Sequence, residues 1–477
     1  MRRTKIVATL GPASNNSDVL RQIIAAGANV VRLNFSHGSP EEKKNLITIV
    51  RQAAKAEGKI VGILADLQGP KIRVAKFKND KVILKENAVF TLDAALDKDI
   101  GDENVVGIDY KELPGDVHPE DILLLDDGRL VLVIEKIEGN RIICRVKIGG
   151  ELSNNKGINR QGGGLSAGAL TNKDREDLKT AVSLDVDYIA ISFVRSKADV
   201  EETKALIANA GGKAGVIAKI ERIEAIVPEV LQEITMVSDG IMVARGDLAV
   251  EIGDAEVPAA QKLMIDYARA LNKPVITATQ MMETMIHNAI PTRAEVSDVA
   301  NAVLDGTDAV MLSAETATGD HPVLVIQTMD RICLAAEKQP RALGANHRFE
   351  DHRCVRVDEV ISMSAMYVAN HLKIKAIISL TETGTTALCV SRIRSGIPIY
   401  GLSRNNNALG RMALYSDVYP IEFDVTKFEN NTELKKAALV ELERLNLVKT
   451  DDLVVATSGD HIGVTGGTNS LTILKVE

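Results

Sequence analysis

The sequence predicts an α/β protein: a (β/α)8 barrel with an inserted all-β lid domain and a C-terminal α/β domain. Three observations carry this expectation. Short β-branched runs bounded by turn residues recur eight times, with helix-like stretches between most of them. The interval between the third and fourth runs is far too long for one helix and reads as many short strands. Beyond the eighth run, a polar stretch separates a second alternating series. The same units would also build an open doubly wound sheet, which is the competing arrangement.

In chain order, the eight runs are Lys5–Leu10, Asn29–Phe35, Ile60–Asp66, Tyr188–Phe193, Gly215–Glu221, Gly240–Ala244, Pro274–Thr279 and Ala309–Ser313. Ser17–Ala26, Pro40–Ala56, Lys173–Ser183 and Val257–Leu271 read as helices between them. The barrel is therefore expected over 1–69 and 170–340, and the lid over 70–169. Within the lid, Lys81–Leu84, Ile122–Leu125, Leu130–Ile134 and Arg141–Val146 are strand-like, with turns at Asp126-Asp127-Gly128 and Glu138-Gly139-Asn140. An insertion after a barrel strand stands over the C-terminal mouth. A helix near Val323–Glu337 leads into Gln339–Arg353, a polar stretch with Pro340 and Gly344 that marks a domain boundary. The C-terminal domain, over 345–477, should contain a helix at Val357–Leu372 and a strand at Ala376–Leu380. A helix from Thr386 and strands at Ile397–Leu402 and Leu453–Thr457 follow.

Composition narrows the function. A chain of 477 residues is too long for one hydrophobic core, and 45% hydrophobic with 26% charged residues is ordinary for a soluble protein. Aromatic residues are scarce, at 3% with no Trp, which argues against a surface that stacks on bases or sugars. A net charge of −8 exerts no overall pull on nucleic acid or anionic membrane. Cys144, Cys333, Cys354 and Cys389 are dispersed with no CxxC pair, as expected of incidental thiols in a reducing cytosol. Met1-Arg2-Arg3-Thr4-Lys5 runs directly into a strand without a signal-peptide pattern, and no apolar run approaches membrane-spanning length. A cytoplasmic enzyme with neither nucleic-acid nor membrane partners is expected.

Polar residues gather at the ends of the strands. Residues two apart share a face of a strand, so Arg32, Asn34 and Ser36 converge in the second, where a buried strand should be apolar. In the fifth, Lys219 and Glu221 share a face, although a structural ion pair would look the same. Asp66 ends the third strand, Ser192 lies in the fourth, and Arg245-Gly246-Asp247 follows the sixth. Thr277 and Thr279 sit on the seventh and Ser313 and Glu315 end the eighth. Acids, bases and hydroxyls thus collect on the face where such barrels hold their active sites. Glu221 and Asp247 suit a hard divalent cation such as Mg2+. Arg32, Arg73 and Lys219 suit a phosphate and a developing oxyanion. Gly246 would bring a backbone N–H close to an anion if a helix begins there. With no GxxxxGK[ST] loop, side chains and metal must hold the phosphates.

At these residues the chain resembles pyruvate kinase over essentially its whole length. The resemblance rests on Gly215-Val216-Ile217-Ala218-Lys219-Ile220-Glu221-Arg222, Asn34-Phe35-Ser36-His37-Gly38 and Val243-Ala244-Arg245-Gly246-Asp247-Leu248. Ala278-Thr279-Gln280-Met281-Met282-Glu283 and Met311-Leu312-Ser313-Ala314-Glu315-Thr316 add to it. It implies phosphoryl transfer from phosphoenolpyruvate to ADP, giving pyruvate and ATP. It also implies that Glu221 and Asp247 hold Mg2+ or Mn2+, and that Lys219 stabilises the transferring phosphoryl and the enolate. Arg32 would hold phosphate. Gly246, Asp247 and Thr279 would take the carboxylate, and Arg73, Asn34 and His37 would meet the nucleotide. Thr279 and Ser313 would position a water for protonation. Asn34, Ser36, Asp66 and Leu67 would form the family's monovalent-cation site, and a homotetramer is expected. The neighbouring readings are a metal-dependent barrel lyase or aldolase acting on pyruvate or phosphoenolpyruvate without an ADP site or lid, and a non-catalytic, metabolite-sensing relative. The latter should have lost Lys219, Glu221 or Asp247.

Three departures matter. Lys71 stands where potassium-requiring members carry Glu, so its ammonium is expected to replace K+. Ala249 replaces a usual Gly, which should be a tolerated packing change. Thr381-Glu382-Thr383-Gly384-Thr385-Thr386 resembles the effector loop of bacterial forms activated by sugar monophosphates or AMP. It lacks a cation, and Glu382 would repel an anion unless Arg392, Arg394 or Arg404 compensates. A phosphorylated allosteric effector at Thr381, Thr383, Gly384, Thr385 and Thr386 is expected.

Overall fold

Eight parallel strands close into a barrel in the computed structural model, which describes residues 1–339, 356–461 and 463–477. From residue 340 the expected domain junction, with Cys354, lies outside the described residues. The strands are Lys5–Leu10, Val30–Asn34, Gly62–Asp66, Tyr188–Ile191, Gly215–Ile220, Gly240–Ala244, Val275–Ala278 and Ala309–Leu312. Closure comes from the first pairing with the eighth, Lys5 opposite Ala309 through Ala8 opposite Leu312. Both faces of most of these strands are buried, which is why they read as largely apolar runs, while Arg32, Asn34 and Lys219 stay half-buried in the second and fifth. Several of the surrounding helices begin where a side chain caps them. Ser39 with Glu42, Thr171 with Asp174 and Thr292 with Glu295 each form a reciprocal capping box.

The lid lies between the third and fourth barrel strands and has its own core around Phe90, Leu92, Leu123 and Leu132. A six-stranded sheet and a two-stranded ribbon make it up. Its longest hairpin pairs Leu130–Glu138 with Arg141–Ile148 across Gly139, whose φ of 59° suits glycine. Both strands run further than their apolar cores suggest, because solvent-facing polar residues extend the ladder.

The C-terminal domain is a five-stranded sheet in the order Val418–Glu422, Ile399–Ser403, Ile374–Leu380, Leu453–Gly459, Thr468–Lys475, the last antiparallel. It docks on the N-terminal end of the barrel, opposite the mouth. One core runs from Val7, Val30, Leu64 and Tyr188 inside the barrel into Met366, Leu409 and Met412. Gly62 and Gly410 permit this approach, since a Cβ on Gly410 would overlap the carboxylate of Asp187. Arg392 crosses the junction to pair with Asp308 through both guanidinium nitrogens, and both residues are buried. Lys5 Nζ donates to the Val418 carbonyl at 2.5 Å. Cys144, Cys333 and Cys389 are free and buried.

Candidate active site

The centre of the mouth is the fifth strand. Lys219 Nζ lies 3.0 Å from Glu221 Oε1, 2.7 Å from Ser192 Oγ and 3.4 Å from Asp66 Oδ1. Burial works against its charge, but Asp66 and Glu221 outweigh it and hold the ammonium above the ordinary lysine range. Asp66 is buried too, yet Lys219 and Arg32 hold its carboxyl below the usual range. Arg32 Nε donates to Asp66 Oδ2 at 2.6 Å and Nη1 to Thr9 Oγ1 at 3.1 Å. Thr9 belongs to the first strand and was not anticipated. Its signal was a hydroxyl on the Lys5, Val7, Thr9 face of an otherwise apolar run.

Glu221 is 1% exposed and accepts from the Phe193 backbone N–H at 2.7 Å. Its carboxyl is pushed up, chiefly by burial, with the Asp247 charge adding to the effect against the pull of Lys219. Asp247 lies on the helix Arg245–Ile252, which begins directly at the end of the sixth strand. Among the described residues no three His, Cys, Asp or Glu side chains converge as a metal cage. Two carboxylates of like charge at an open mouth nevertheless match Mg2+, which takes one or two protein carboxylates and fills its shell with substrate oxygens and water.

The seventh strand departs from simple alternation. Thr277 is fully buried and bonds to Thr307 Oγ1 at 3.0 Å, before the eighth strand, instead of joining the mouth. Thr279 has left the strand with φ 68°, and its Oγ1 accepts the Gly246 N–H at 2.9 Å. A helix does begin here, one residue earlier at Arg245, but the Gly246 N–H is taken by this hydroxyl. Ser313 and Glu315 likewise divide. Ser313 precedes the short helix Ala314–Ala317, while Glu315 is buried and accepts the backbone N–H groups of Ser313 and Met282. Glu315 is a tie between two strand ends.

Around the rim, Asn34 Oδ1 accepts the Ser36 N–H at 3.0 Å and His37 is exposed. The Leu67 carbonyl accepts from Ser192 Oγ at 2.9 Å. Arg73, half-buried at the lid's base, donates from Nη1 to the Asn155 carbonyl at 2.9 Å. Lys71 reaches across the mouth to Asp247 Oδ1 at 3.2 Å and to the lid's Asp127 Oδ1 at 4.0 Å. Asp66, by contrast, is neutralised by Arg32 and Lys219.

A cavity of about 360 Å³ lies in the C-terminal domain. Thr381, Glu382, Thr383, Thr385 and Thr386 line it, with Arg356, Arg411 and His461. These last three were not anticipated, because they come from separate segments. Gly384, at φ 84°, forms the turn before the helix Thr385–Ser391. Glu382 is paired with Arg404 at 3.4 Å and held by Asn405 at 2.7 Å. Arg392 and Arg394 cannot compensate as considered, because both turn to the barrel, toward Asp308 and toward the carbonyls of Gly306 and Thr307.

Comparison with known proteins matches this arrangement. The family model described as pyruvate kinase, barrel domain, covers residues 1–326, and that described as pyruvate kinase, alpha/beta domain, covers 359–474. Pyruvate kinase II of Salmonella typhimurium is 52% identical over 485 residues, spanning 100% of this chain and 99% of that protein. The pyruvate kinase of Haemophilus influenzae is 52% identical over 96% of both chains. Pyruvate kinase 2 of Synechocystis is 43% identical over 100% of this chain and 79% of its own length. With its barrel, lid and C-terminal domain all accounted for, the chain belongs to the pyruvate kinase family.

Proposed function

We propose that the mouth cluster around Lys219 carries out this family's reaction, phosphoryl transfer from phosphoenolpyruvate to ADP to give pyruvate and ATP. One observation carries the assignment of roles: a charged lysine held in a buried site by Asp66, Glu221 and Ser192. Such a preorganised cation stabilises charge developing on the transferring phosphoryl and on the enolate oxygen, in a transition state that asks little covalent work of the protein. Arg32, oriented by Asp66 and Thr9, holds the phosphate. Thr279, Gly246 and the first turn carrying Asp247 receive the carboxylate. Arg73, Asn34 and His37 meet the nucleotide at the rim, below the lid. Thr279 and Ser313 position the water that protonates the enolate.

Glu221 and Asp247 hold Mg2+, or Mn2+. When bound, the ion supplies positive charge to the enolate and phosphoryl oxygens. The family generally uses K+ as well, at a site to which Asn34, Ser36, Asp66 and Leu67 would contribute. Here the ammonium of Lys71, already seated on Asp247, makes added K+ dispensable.

The C-terminal cavity takes a phosphorylated effector, a sugar monophosphate or AMP. Its hydroxyls and Arg356 supply donors, and pairing with Arg404 blunts the repulsion from Glu382. Arg411 lines the cavity and donates to the Lys213 carbonyl, two residues before the strand that carries Lys219. The active form is a cytoplasmic homotetramer. Among the described residues no helix is long and apolar enough to cross a membrane.

A lactate-dehydrogenase-coupled assay with phosphoenolpyruvate, ADP and Mg2+ tests this reading. Pyruvate formation should require ADP and persist with Na+ or an organic cation in place of K+. It should rise at low substrate with one of a panel of sugar phosphates and AMP. Pyruvate release independent of ADP would favour a lyase or aldolase. Flat kinetics across the panel would remove the effector.

A further inference from the structure

Thr279 and Gln280 are consecutive non-glycine residues with positive φ, 68° and 52°. Left-handed backbone is costly for any residue with a Cβ and worse for a β-branched one, so surrounding contacts must impose it. One side chain supplies them. The Arg245 guanidinium donates from Nε to the Ala278 carbonyl at 3.2 Å and from Nη2 to the Thr279 carbonyl at 2.6 Å. Its third nitrogen, Nη1, donates to Asp298 Oδ1 at 2.7 Å and to Gln261 Oε1 at 3.4 Å, which fixes the fork from two flanking helices. The next residue, Gly246, donates its N–H to Thr279 Oγ1 at 2.9 Å, and that hydroxyl donates to the Ala278 carbonyl at 2.7 Å. Both the carbonyl and the hydroxyl of Thr279 are therefore held by one dipeptide.

We propose that Arg245 is a positioning residue for the reaction: by clamping the Ala278 and Thr279 carbonyls, it forces the left-handed turn that presents the Thr279 hydroxyl at the mouth. The inference rests on the role given to Thr279 above. The Arg245 guanidinium is spent on these carbonyls and on the two flanking helices, so it acts through Thr279. Its planar fork is essential to the geometry, because a lysine ammonium is a single point and cannot span two successive carbonyls while also meeting Asp298. Without the clamp the turn relaxes toward ordinary strand geometry, and the hydroxyl swings off the Gly246 N–H.

The test is a double-mutant cycle in the full-length enzyme. Arg245→Met should lower kcat by about 100-fold in the native background but by less than about threefold in the Thr279→Ala background, because the two residues act as one unit. Arg245→Lys should lie between native and Arg245→Met, and it takes over the cycle if the methionine variant does not fold. Mn2+ affinity, read by paramagnetic resonance titration, should stay within about threefold, since the effect runs through Thr279 and not through Asp247. Equal losses in both backgrounds would overturn the proposal, as would a loss of Mn2+ binding that matches the loss of turnover. A fully active Thr279→Ala variant would instead remove the role of Thr279 and this inference with it. A slow Thr279→Ala variant with additive Arg245 effects would remove this inference alone.

Discussion

Lys71 Nζ sits 3.2 Å from Asp247 Oδ1, so a cation from the base of the lid rests on a carboxylate of the barrel mouth. The same ammonium lies 4.0 Å from Asp127 of the lid, and it therefore links the two bodies across the cleft. Its side chain is 27% exposed, which leaves it partly screened by water but still effective.

The native enzyme should keep most of its activity when Na+ or tetramethylammonium is the sole monovalent cation. Lys71→Glu should become K+-activated by about tenfold or more, an effect equivalent to 1.4 kcal/mol of charge stabilisation. Steady-state rates at fixed ionic strength with each cation check this. Strong K+ activation of the native enzyme would contradict it.

Lys219→Met should reduce turnover by about 1000-fold or more, the scale expected when a preorganised charge facing the transition state is removed. Mn2+ affinity should change only a few-fold, because Glu221 and Asp247 remain. If Mn2+ binding collapses in step with turnover, Lys219 serves mainly to hold Glu221 in place.

Arg392→Met should destabilise the protein by roughly 3–5 kcal/mol, since it strands the buried Asp308 carboxylate without its partner. Differential scanning calorimetry should show the C-terminal domain melting apart from the barrel. A single unshifted transition would mean that the apolar core across the junction suffices.

Asp187 should make stability fall as pH rises. Burial pushes its carboxyl up to about 7, beneath the close-packed Gly410. An acid whose folded pKa exceeds its unfolded value of about 3.9 contributes stability in full below that value, and loses it as pH climbs to about 7. Urea midpoints at pH 5 and pH 8 should therefore differ less in Asp187→Asn than in the native protein. An unchanged difference would show that the carboxyl is already ionised across the range.

Local pattern made much of the molecule legible. Barrel strands packed on both faces show as β-branched runs, and the first and sixth were placed to the residue. Two C-terminal strands were not legible. Val418–Glu422 contains Pro420, which argues against a strand unless it lies at a sheet edge, as it does. Thr468–Lys475 is the opposite edge and mostly half-exposed, so it lacks a continuous apolar run.

The sequence by itself determined the barrel, the lid, the C-terminal domain and the family, and it marked Arg32, Lys219, Glu221, Asp247 and Thr279 as candidates. Side-chain alternation and motif spacing are local properties, readable without coordinates. Only the tertiary structure decided which charge meets which. It seats Lys71 on Asp247, turns Arg392 and Arg394 away from the loop at 381–386, sends Thr277 to Thr307, and brings Thr9 to Arg32. These pairings join residues 23 to 176 positions apart, and a buried ion pair or hydroxyl takes the partner that chain packing brings within about 3 Å. No periodicity encodes that distance.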